Sequence, residues 1–320
     1  MKRLAILTSG GDAPGMNATI RAVLNKAAHH DIEVVGVNYG FLGLVCKNFT
    51  SLDTEKVNFS ISMGGTILYS SRYPEFAEKE IQLKAIEKLK EANIDGLIVI
   101  GGRGSHHGAL ALSNLGFPTI GIPATIDNDI PGTEFTVGFD TAVNTVVSAL
   151  DKIRDTANSH VRTFVIEVKG LRSGDLALWS GVAGGAESIL IPEQELDLAH
   201  VASKIKQSVE RKKKHCLIVL AEGVMSASEL TTKLKEEGVL HIREVELGHV
   251  PRGGSPTPYD RVLASKAGAA AVNLFLEEKF GNCLCIQYNK LVPVSLKDAL
   301  DIEKNFIDLS LYPLNSSISY

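Results

Sequence analysis

Short apolar runs rich in Val, Ile and Leu punctuate most of this chain: Leu4–Leu7, Glu33–Val37, Gly96–Ile100, Pro118–Ile122, Thr163–Val168, Ser188–Ile191 and Cys216–Leu220. They lack polar alternation, as strands buried on both faces do. Longer helical patterns separate them. In "AEKEIQLKAIEKLKEA" (77–92) Ile81, Leu83, Ile86 and Leu89 fall near helical spacing among charged residues, which predicts a helix. Strands alternating with helices build an α/β fold, a parallel sheet covered on both faces. Ligands of such sheets sit beyond the carboxyl ends of strands, where helices begin. The loop after each strand is therefore the place to look for function.

The 320 residues suffice for two ordinary domains or one large one, and 44% apolar with 22% charged residues fits a soluble globular protein. A net charge of −4 argues against bulk nucleic-acid or membrane binding. No apolar run approaches the ~20 residues of a membrane span. "MKRLAILTSGGDAPG" reads as a first strand and not a signal peptide. Four scattered cysteines make no disulfide framework. Cys283 and Cys285, two apart on an expected strand, share a face, so reduced thiols in a cytoplasmic protein are expected. Nothing in the composition marks a domain boundary.

Three loops could carry chemistry. After the first strand, "TSGGDAPGMN" (8–17) lets the backbone approach an anion at the head of a helix from about Gly15, though Gly-Gly is also an ordinary tight turn. "GGRGS" repeats the device after Gly96–Ile100, with Ser105 as an N-cap or a phosphate donor. Two such turns on one sheet suggest an extended polyanion such as a nucleotide. "PATIDNDIPGT" (123–133) places Asp127 and Asp129 on an irregular segment. One carboxylate can take a proton from a hydroxyl and a second can help hold Mg²⁺; an Asx-rich turn is the equal alternative. Further on, Arg162, "EVKGLRSGD" (167–175), Glu222, Arg243 and "GHVPRGGSPTPYDR" (248–261) bring arginines, an acid and His249 to strand ends, a set suited to a phosphorylated sugar. The "ERKKKH" run (210–215) reads as the solvated basic end of a helix.

In this order the segments "LTSGGDAPGMNA", "GGTILYSSRYPEF", "PATIDNDIPGT", "IRDTANSH", "AGGAE", "HVPRGGSPTPYDR" and "CIQ" resemble the bacterial ATP-dependent 6-phosphofructokinases along the whole chain. The resemblance implies two three-layer α/β domains with mainly parallel sheets and the active site in the cleft between them. The expected nucleotide-binding domain is 1–138 plus about 251–305. The sugar-phosphate-binding domain is 139–250 plus about 306–320. It implies phosphoryl transfer from ATP to the 1-hydroxyl of fructose 6-phosphate, with Mg²⁺, in a cytoplasmic homotetramer. Gly11, Arg72, Tyr73, Gly102, Arg103, Gly104 and Ser105 would meet ATP. Asp127 would be the base, with Thr125 beside it and Asp129 supporting base or metal. Arg162, Lys169, Gly170, Leu171, Glu222, Arg243, His249 and Arg252 would form the sugar-phosphate pocket, Arg162 and Arg243 across a subunit boundary. Arg21, Asn25, Arg154, Gly185, Glu187, Arg211, Lys213 and His215 would bind an effector, ADP or phosphoenolpyruvate.

The departures are specific. Arg103 stands where the family places an aspartate ligand of Mg²⁺, Lys169 where it has Met, Leu171 where it has Arg, and Ala124 where it has Gly. One unit-charge interaction at ~4 Å and an effective dielectric of ~20 is worth about 4 kcal/mol. Arg103 would repel Mg²⁺, attract bare phosphate, or pair with Asp127 or Asp129 and silence them. Arg172 is a doubtful substitute for the arginine lost at Leu171, because neighbours on an extended segment face opposite ways. Asn25, Thr54 and Phe59 replace charged residues of the effector site. A catalytically impaired paralogue that binds sugar phosphate or nucleotide is the alternative reading. The resemblance implies ATP and not pyrophosphate as donor, because the pyrophosphate-dependent relatives carry an acidic residue at the position of Gly104 and a lysine at that of Ala124.

Overall fold

A computed structural model of the chain describes residues 2–301 and 307–319. In chain order the strands are β1 (Arg3–Ser9), β2 (Glu33–Val37), β3 (Phe49–Ser51), β4 (Gly96–Gly101), β5 (Thr119–Pro123), β6 (Arg162–Val168), β7 (Ser188–Leu190), β8 (His215–Ala221), β9 (Ile242–Glu246), β10 (Asn282–Gln287) and β11 (Lys290–Ser295). The α-helices are α1 (Met16–Ala28), α2 (Gly40–Val45), α3 (Thr54–Phe59), α4 (Lys79–Glu91), α5 (Arg103–Asn114), α6 (Phe139–His160), α7 (Asp175–Ala183), α8 (Leu198–Glu210), α9 (Ala227–Glu236), α10 (Pro258–Leu276), α11 (Leu296–Ala299) and α12 (Leu311–Ile318). Two compact units result, Met1–Thr141 with Arg252–Phe306 and Ala142–Pro251 with Ile307–Tyr320. The domain boundary expected near 305 lies outside the described residues.

The first unit holds a seven-stranded sheet in the order β11-β10-β5-β4-β1-β2-β3. Its central strands are parallel, and β3 and β11 close the two edges antiparallel. Side chains alternate between faces. Ala5, Leu7, Leu97 and Val99 meet the apolar sides of α2, α4 and α5, in a core that includes Leu44, Leu89 and Leu112. Leu4, Ile6, Ile98 and Ile100, fully buried on the other face, lie on the α10 side, where a Cβ on Gly96 would come within 2.6 Å of the Phe275 ring. Gly268 lets α10 lie against α1, since a Cβ there would sit 2.8 Å from the Thr19 carbonyl. Burial on both faces, at about 1.5–3 kcal/mol per large apolar side chain, explains strands without polar alternation.

The second unit holds the all-parallel sheet β7-β8-β6-β9. Val165, Ile218 and Leu220 pack with Ile205 of α8 and with Leu230 and Leu234 of α9. On the other face α7 approaches β7 through Gly181, whose Cβ would lie 2.6 Å from Ile189.

The strands expected from the sequence form with ends shifted by at most two residues, the largest at β1, which runs on to Ser9, and β3, β9 and β11 are additional. The helix expected over 77–92 begins at Lys79, because Pro74–Ala77 forms a separate 3-10 turn. The basic run begins at the end of α8, where Glu210 is the last residue and Arg211 the C-cap, but it extends beyond the helix: Lys212 turns the chain at φ 62°, and His215 opens β8. All four cysteines are free thiols. Among the described residues no helix is long and apolar enough to cross a membrane.

His106 of α5 is fully buried over β5, where a Cβ on Gly121 would come 2.6 Å from its ring. Nδ1 donates to the Gly102 carbonyl at 2.9 Å and Nε2 has no partner. Burial lowers its pKa to about 4. An unfolded chain takes this proton near pH 6.5, so stability is lost as pH falls from 6.5 towards 4. We expect wild type to lose about 2 kcal/mol more than His106→Gln between pH 7 and pH 5 in denaturant titrations. Equal losses in both proteins would contradict this account of the buried ring.

Candidate active site

The first sheet reverses its winding between β4 and β1: β1 leads outward to β2 and β3, β4 to β5 on the other side. Such a switch point opens a crevice at the strands' carboxyl ends. The loops after β1, β4 and β5, three adjacent strands, all end there.

In the β1 loop Gly10 (φ 81°) and Gly15 (φ 104°, the N-cap of α1) take left-handed conformations that favour glycine. The helix begins at Met16, one residue beyond the expected Gly15. Arg252 lays its guanidinium over Gly11, where a Cβ would collide with it, and Nη1 donates to the Asp12 carbonyl at 3.2 Å. Ser70 Oγ donates to the Gly10 carbonyl at 2.6 Å, and Thr8 Oγ1 to the Tyr69 carbonyl at 2.9 Å. These bonds bring the segment before Arg72 and Tyr73 against the end of β1. Arg72 is exposed, and Tyr73 packs at the margin of the core.

After β4, Gly102 is the N-cap of α5, and Arg103 is its first residue. Ser105 is therefore not the N-cap. Its hydroxyl donates to the Ser9 carbonyl at 2.9 Å, which leaves its backbone N–H in the first turn for an anion. A Cβ on Gly104 would meet nothing within 4 Å. The first turn contains no acid. Arg103 forms no ion pair with Asp127, Asp129 or any other described residue, and its buried Nε has no hydrogen-bond partner. The silencing pair considered from the sequence is thus not formed. A guanidinium and the ~+0.5 charge of a helix N-terminus face the same crevice end.

The β5 loop is knitted to its neighbours. Ala124 N donates to the Gly101 carbonyl at 2.9 Å, Thr125 N to Val137 O at 3.0 Å, and Thr136 Oγ1 to Thr125 O at 2.7 Å. Thr125 Oγ1 accepts from the Asp127 N–H at 3.2 Å. Asn128, at φ 48°, turns the chain between the half-buried Asp127 and Asp129. A Cβ on Gly102 would lie 3.5 Å from Thr125 Cβ, so the carboxylate segment abuts the head of α5. A carboxylate held there can act as a base towards a hydroxyl beside bound phosphate.

Mg²⁺ demands an octahedral shell of oxygens, one or two from carboxylates. At residue 103 the chain offers a guanidinium, and no group of three or more His, Cys, Asp or Glu among the described residues could hold a metal. These residues do not fit a protein-held ion at that position.

In the second unit Lys169–Leu171, Glu222 and His249 follow β6, β8 and β9, again neighbours at their carboxyl ends. Glu222 N donates to Val168 O at 3.0 Å and Gly223 N to Gly170 O at 3.1 Å. Lys169 Nζ lies 2.6 Å from Glu222 Oε2, an ion pair between half-buried side chains. Leu171 is 66% exposed, and Arg172 is exposed too. Residues 169–172 bend rather than extend, so the alternation argued for Arg172 does not apply. Arg162 and Arg243 lie at the amino ends of β6 and β9. The Phe164–Arg243 register puts them on one face. Seven residues of β6 at ~3.3 Å each separate Arg162 from the Lys169 loop by about 20 Å.

Five of the expected effector residues cluster around Glu187. Lys213 Nζ lies 2.6 Å and His215 Nε2 3.8 Å from its carboxylate, and the Leu217 N–H donates to it at 2.5 Å. Arg154 Nη2 donates to the Gly184 carbonyl, next to Gly185. Burial lowers the His215 pKa, with Glu187 opposing the shift and Lys213 and Arg154 adding to it. Arg21 and Asn25 lie on α1 of the other unit, where Asn25 donates to Asn58 at 2.8 Å and Phe59 is exposed.

Sequence reasoning missed Asn17, whose Oδ1 accepts from Ile67 N at 2.8 Å and whose amide donates to Met63 O at 3.2 Å. No local pattern announces a contact fifty residues away. It also missed Asp260, although "TPYD" carries a capping-box spacing, Thr three residues before an acid.

A family model described as Phosphofructokinase matches residues 3–275. The ATP-dependent 6-phosphofructokinase of Enterococcus faecalis is 59% identical over 320 residues, all of both chains, and that of Listeria welshimeri 58% over 319, again the full length of both. Among solved structures, Saccharomyces cerevisiae phosphofructokinase aligns with a TM-score of 0.88 at 30% identity. The match covers 100% of this chain and 48% of the yeast chain, so this chain spans about half its length. A pyrophosphate-dependent phosphofructokinase from Marinobacter aquaeolei, at 22% identity, shares the fold with a TM-score of 0.85 over 94% of this chain and 84% of its own. With its switch-point loops in place and the match extending over nearly all its length, the chain belongs to the phosphofructokinase family.

Proposed function

We propose that this chain transfers the terminal phosphoryl group of ATP to the 1-hydroxyl of fructose 6-phosphate, giving fructose 1,6-bisphosphate and ADP, the glycolytic reaction. The observation that carries the reading is the junction of the Thr125–Asp127 segment with the glycine-lined head of α5. ATP would lay its phosphates over Gly11, Gly102, Gly104 and the Ser105 N–H, with Arg72 and Tyr73 at its nucleoside end. Asp127 takes the proton of the 1-hydroxyl as that oxygen attacks the γ-phosphorus. The bond to the β,γ-bridging oxygen breaks, ADP leaves with that electron pair, and the proton passes on to water. Thr125 holds the Asp127 backbone, and Asp129 supports the base. Phosphoryl transfer needs mainly position and charge. The Arg103 guanidinium supplies charge beside the γ-phosphate. Any Mg²⁺ the reaction uses arrives on the nucleotide. The open space at Gly104 and the buried, uncharged Ala124 suit a triphosphate donor.

Glu222, His249 and Arg252 take the sugar, with Lys169, Gly170 and Leu171 along its edge. The Lys169 ion pair holds the Glu222 carboxylate ready for sugar hydroxyls. Arg162 and Arg243, at the far end of their sheet, reach the 6-phosphate of a neighbouring copy, so the working form is an oligomer, a homotetramer by the resemblance to the bacterial enzymes. ADP or phosphoenolpyruvate binds the Glu187 cluster together with Arg211, Arg21 and Asn25. The enzyme works in the cytoplasm. Among the described residues Arg103 forms no ion pair with either aspartate, so no such pair supports a binder without turnover.

Three outcomes test this. Asp127→Asn should lower kcat by about 10²–10⁴-fold while ATP binding, read by calorimetry, persists; an unimpaired rate removes Asp127 as base. Arg103→Asp should weaken ATP at low Mg²⁺ and steepen the dependence of rate on Mg²⁺. Activity appearing only in that variant would instead favour the binder reading. Mixing inactive Asp127→Asn with inactive Arg162→Ala subunits should restore part of the activity, and none would return if each site came from one chain.

A further inference from the structure

We propose that Asp260 is a positioning residue for phosphoryl transfer, its buried carboxylate pinning the β1 loop and the Asp127 loop in one register. The inference rests on the function proposed above. Asp260 is fully buried in the first turn of α10 and touches no position expected for substrate. Its oxygens accept three hydrogen bonds: from Gly138 N at 2.9 Å, Thr141 N at 2.8 Å and Thr141 Oγ1 at 2.5 Å. Thr141 Oγ1 itself accepts from Thr257 N at 3.0 Å, so its proton is directed at the carboxylate. Thr257 caps α10 by accepting from Asp260 N at 3.2 Å, and its hydroxyl donates to Asp140 at 2.6 Å. Burial pushes the Asp260 carboxyl up to about 6, with the three donors opposing and Asp140 adding to the shift. At neutral pH it is therefore the acceptor-only carboxylate that three donors require.

What the carboxylate holds is the wall between two site loops. Gly138, at φ 101°, packs so closely that a Cβ there would lie 2.7 Å from Ala13 Cβ and 3.0 Å from Pro14 O. Val137, its neighbour, exchanges hydrogen bonds with Pro123 and Thr125 on one side. On the other, its Cγ1 would lie 2.6 Å from a Cβ on Gly15. A shift at Gly138 therefore reaches Thr125–Asp127 through Val137 and the phosphate turn through Ala13–Gly15. A third loop joins through the same segment, since Arg252, eight residues before Asp260, covers Gly11. Charge-assisted bonds to a buried carboxylate are strong, and an unpaired buried partner is costly. This arrangement stiffens the junction without occupying the crevice.

Asp260→Asn keeps size and shape but turns an amide NH₂ towards N–H and O–H donors. The tests are steady-state kinetics of the full-length enzyme and hydrogen–deuterium exchange without substrate. We expect kcat to fall at least tenfold, KM for fructose 6-phosphate to stay within threefold, and exchange to quicken in peptides covering both 10–16 and 123–138. Quickened exchange confined to 138–141 and 257–261, or kcat within twofold of wild type despite a lower Tm, would overturn the proposal. Should Asp260→Asn not accumulate, Thr141→Val removes the hydroxyl bond to the carboxylate, together with the acceptor of Thr257 N, and keeps both backbone donors to Asp260. A threefold or larger loss of kcat with faster exchange in both loops supports the pin, and no change in either refutes it. Wild type that makes no fructose 1,6-bisphosphate would sink the proposed function, and the exchange data would still judge the pin.

Discussion

Two-sided burial of β1, β4 and β5 is the constraint behind everything else in this molecule. With helices on both faces of the sheet, polar chemistry has no place along these strands and is displaced to their ends. At the carboxyl ends the winding reverses, three loops converge, and two helices present unsatisfied N–H groups to one crevice. Close backbone approach at Gly11 and Gly102, left-handed turns at Gly10 and Gly15, and a carboxylate segment against the head of α5 all meet at that crevice, which is why we propose it as an anion cradle with Asp127 as its base. The second sheet repeats the logic with Lys169, Glu222 and His249.

Charge at the head of α5 decides how phosphates would be met there. A carboxylate there would bring a cation to the phosphates; a guanidinium meets them directly. The lack of an ion pair to it among the described residues, the absence of acid in the first turn and the open space at Gly104 leave it able to do so. A unit-charge interaction worth about 4 kcal/mol at ~4 Å is large enough to redirect how the γ-phosphate is neutralised.

Much of this was legible in the sequence because it is local. Buried strands declare themselves as apolar runs, and Gly-Gly after a strand declares a tight turn at the strand's end. The basic run after Glu210 misled because charge alone cannot separate a helix end from the turn at Lys212 beyond it. Ser105 misled because a cap and a donor look identical until the Ser9 carbonyl is seen to take its proton. Asp260 and Asn17 act on residues far away in the chain, and only folding brings those partners together. The separation of Arg162 from Lys169 was legible too: the apolar run Thr163–Val168 between them is one extended strand, so seven positions span about 20 Å.

The central claim is that donor phosphates dock at the head of α5 between Arg103 and Asp127. A crystal structure with a non-hydrolysable ATP analogue tests it most directly. The account predicts the terminal phosphate within about 3 Å of the Arg103 guanidinium and of first-turn N–H groups of α5, with the Asp127 carboxylate facing it. Phosphates bound elsewhere, or Arg103 turned away from an occupied crevice, would contradict it.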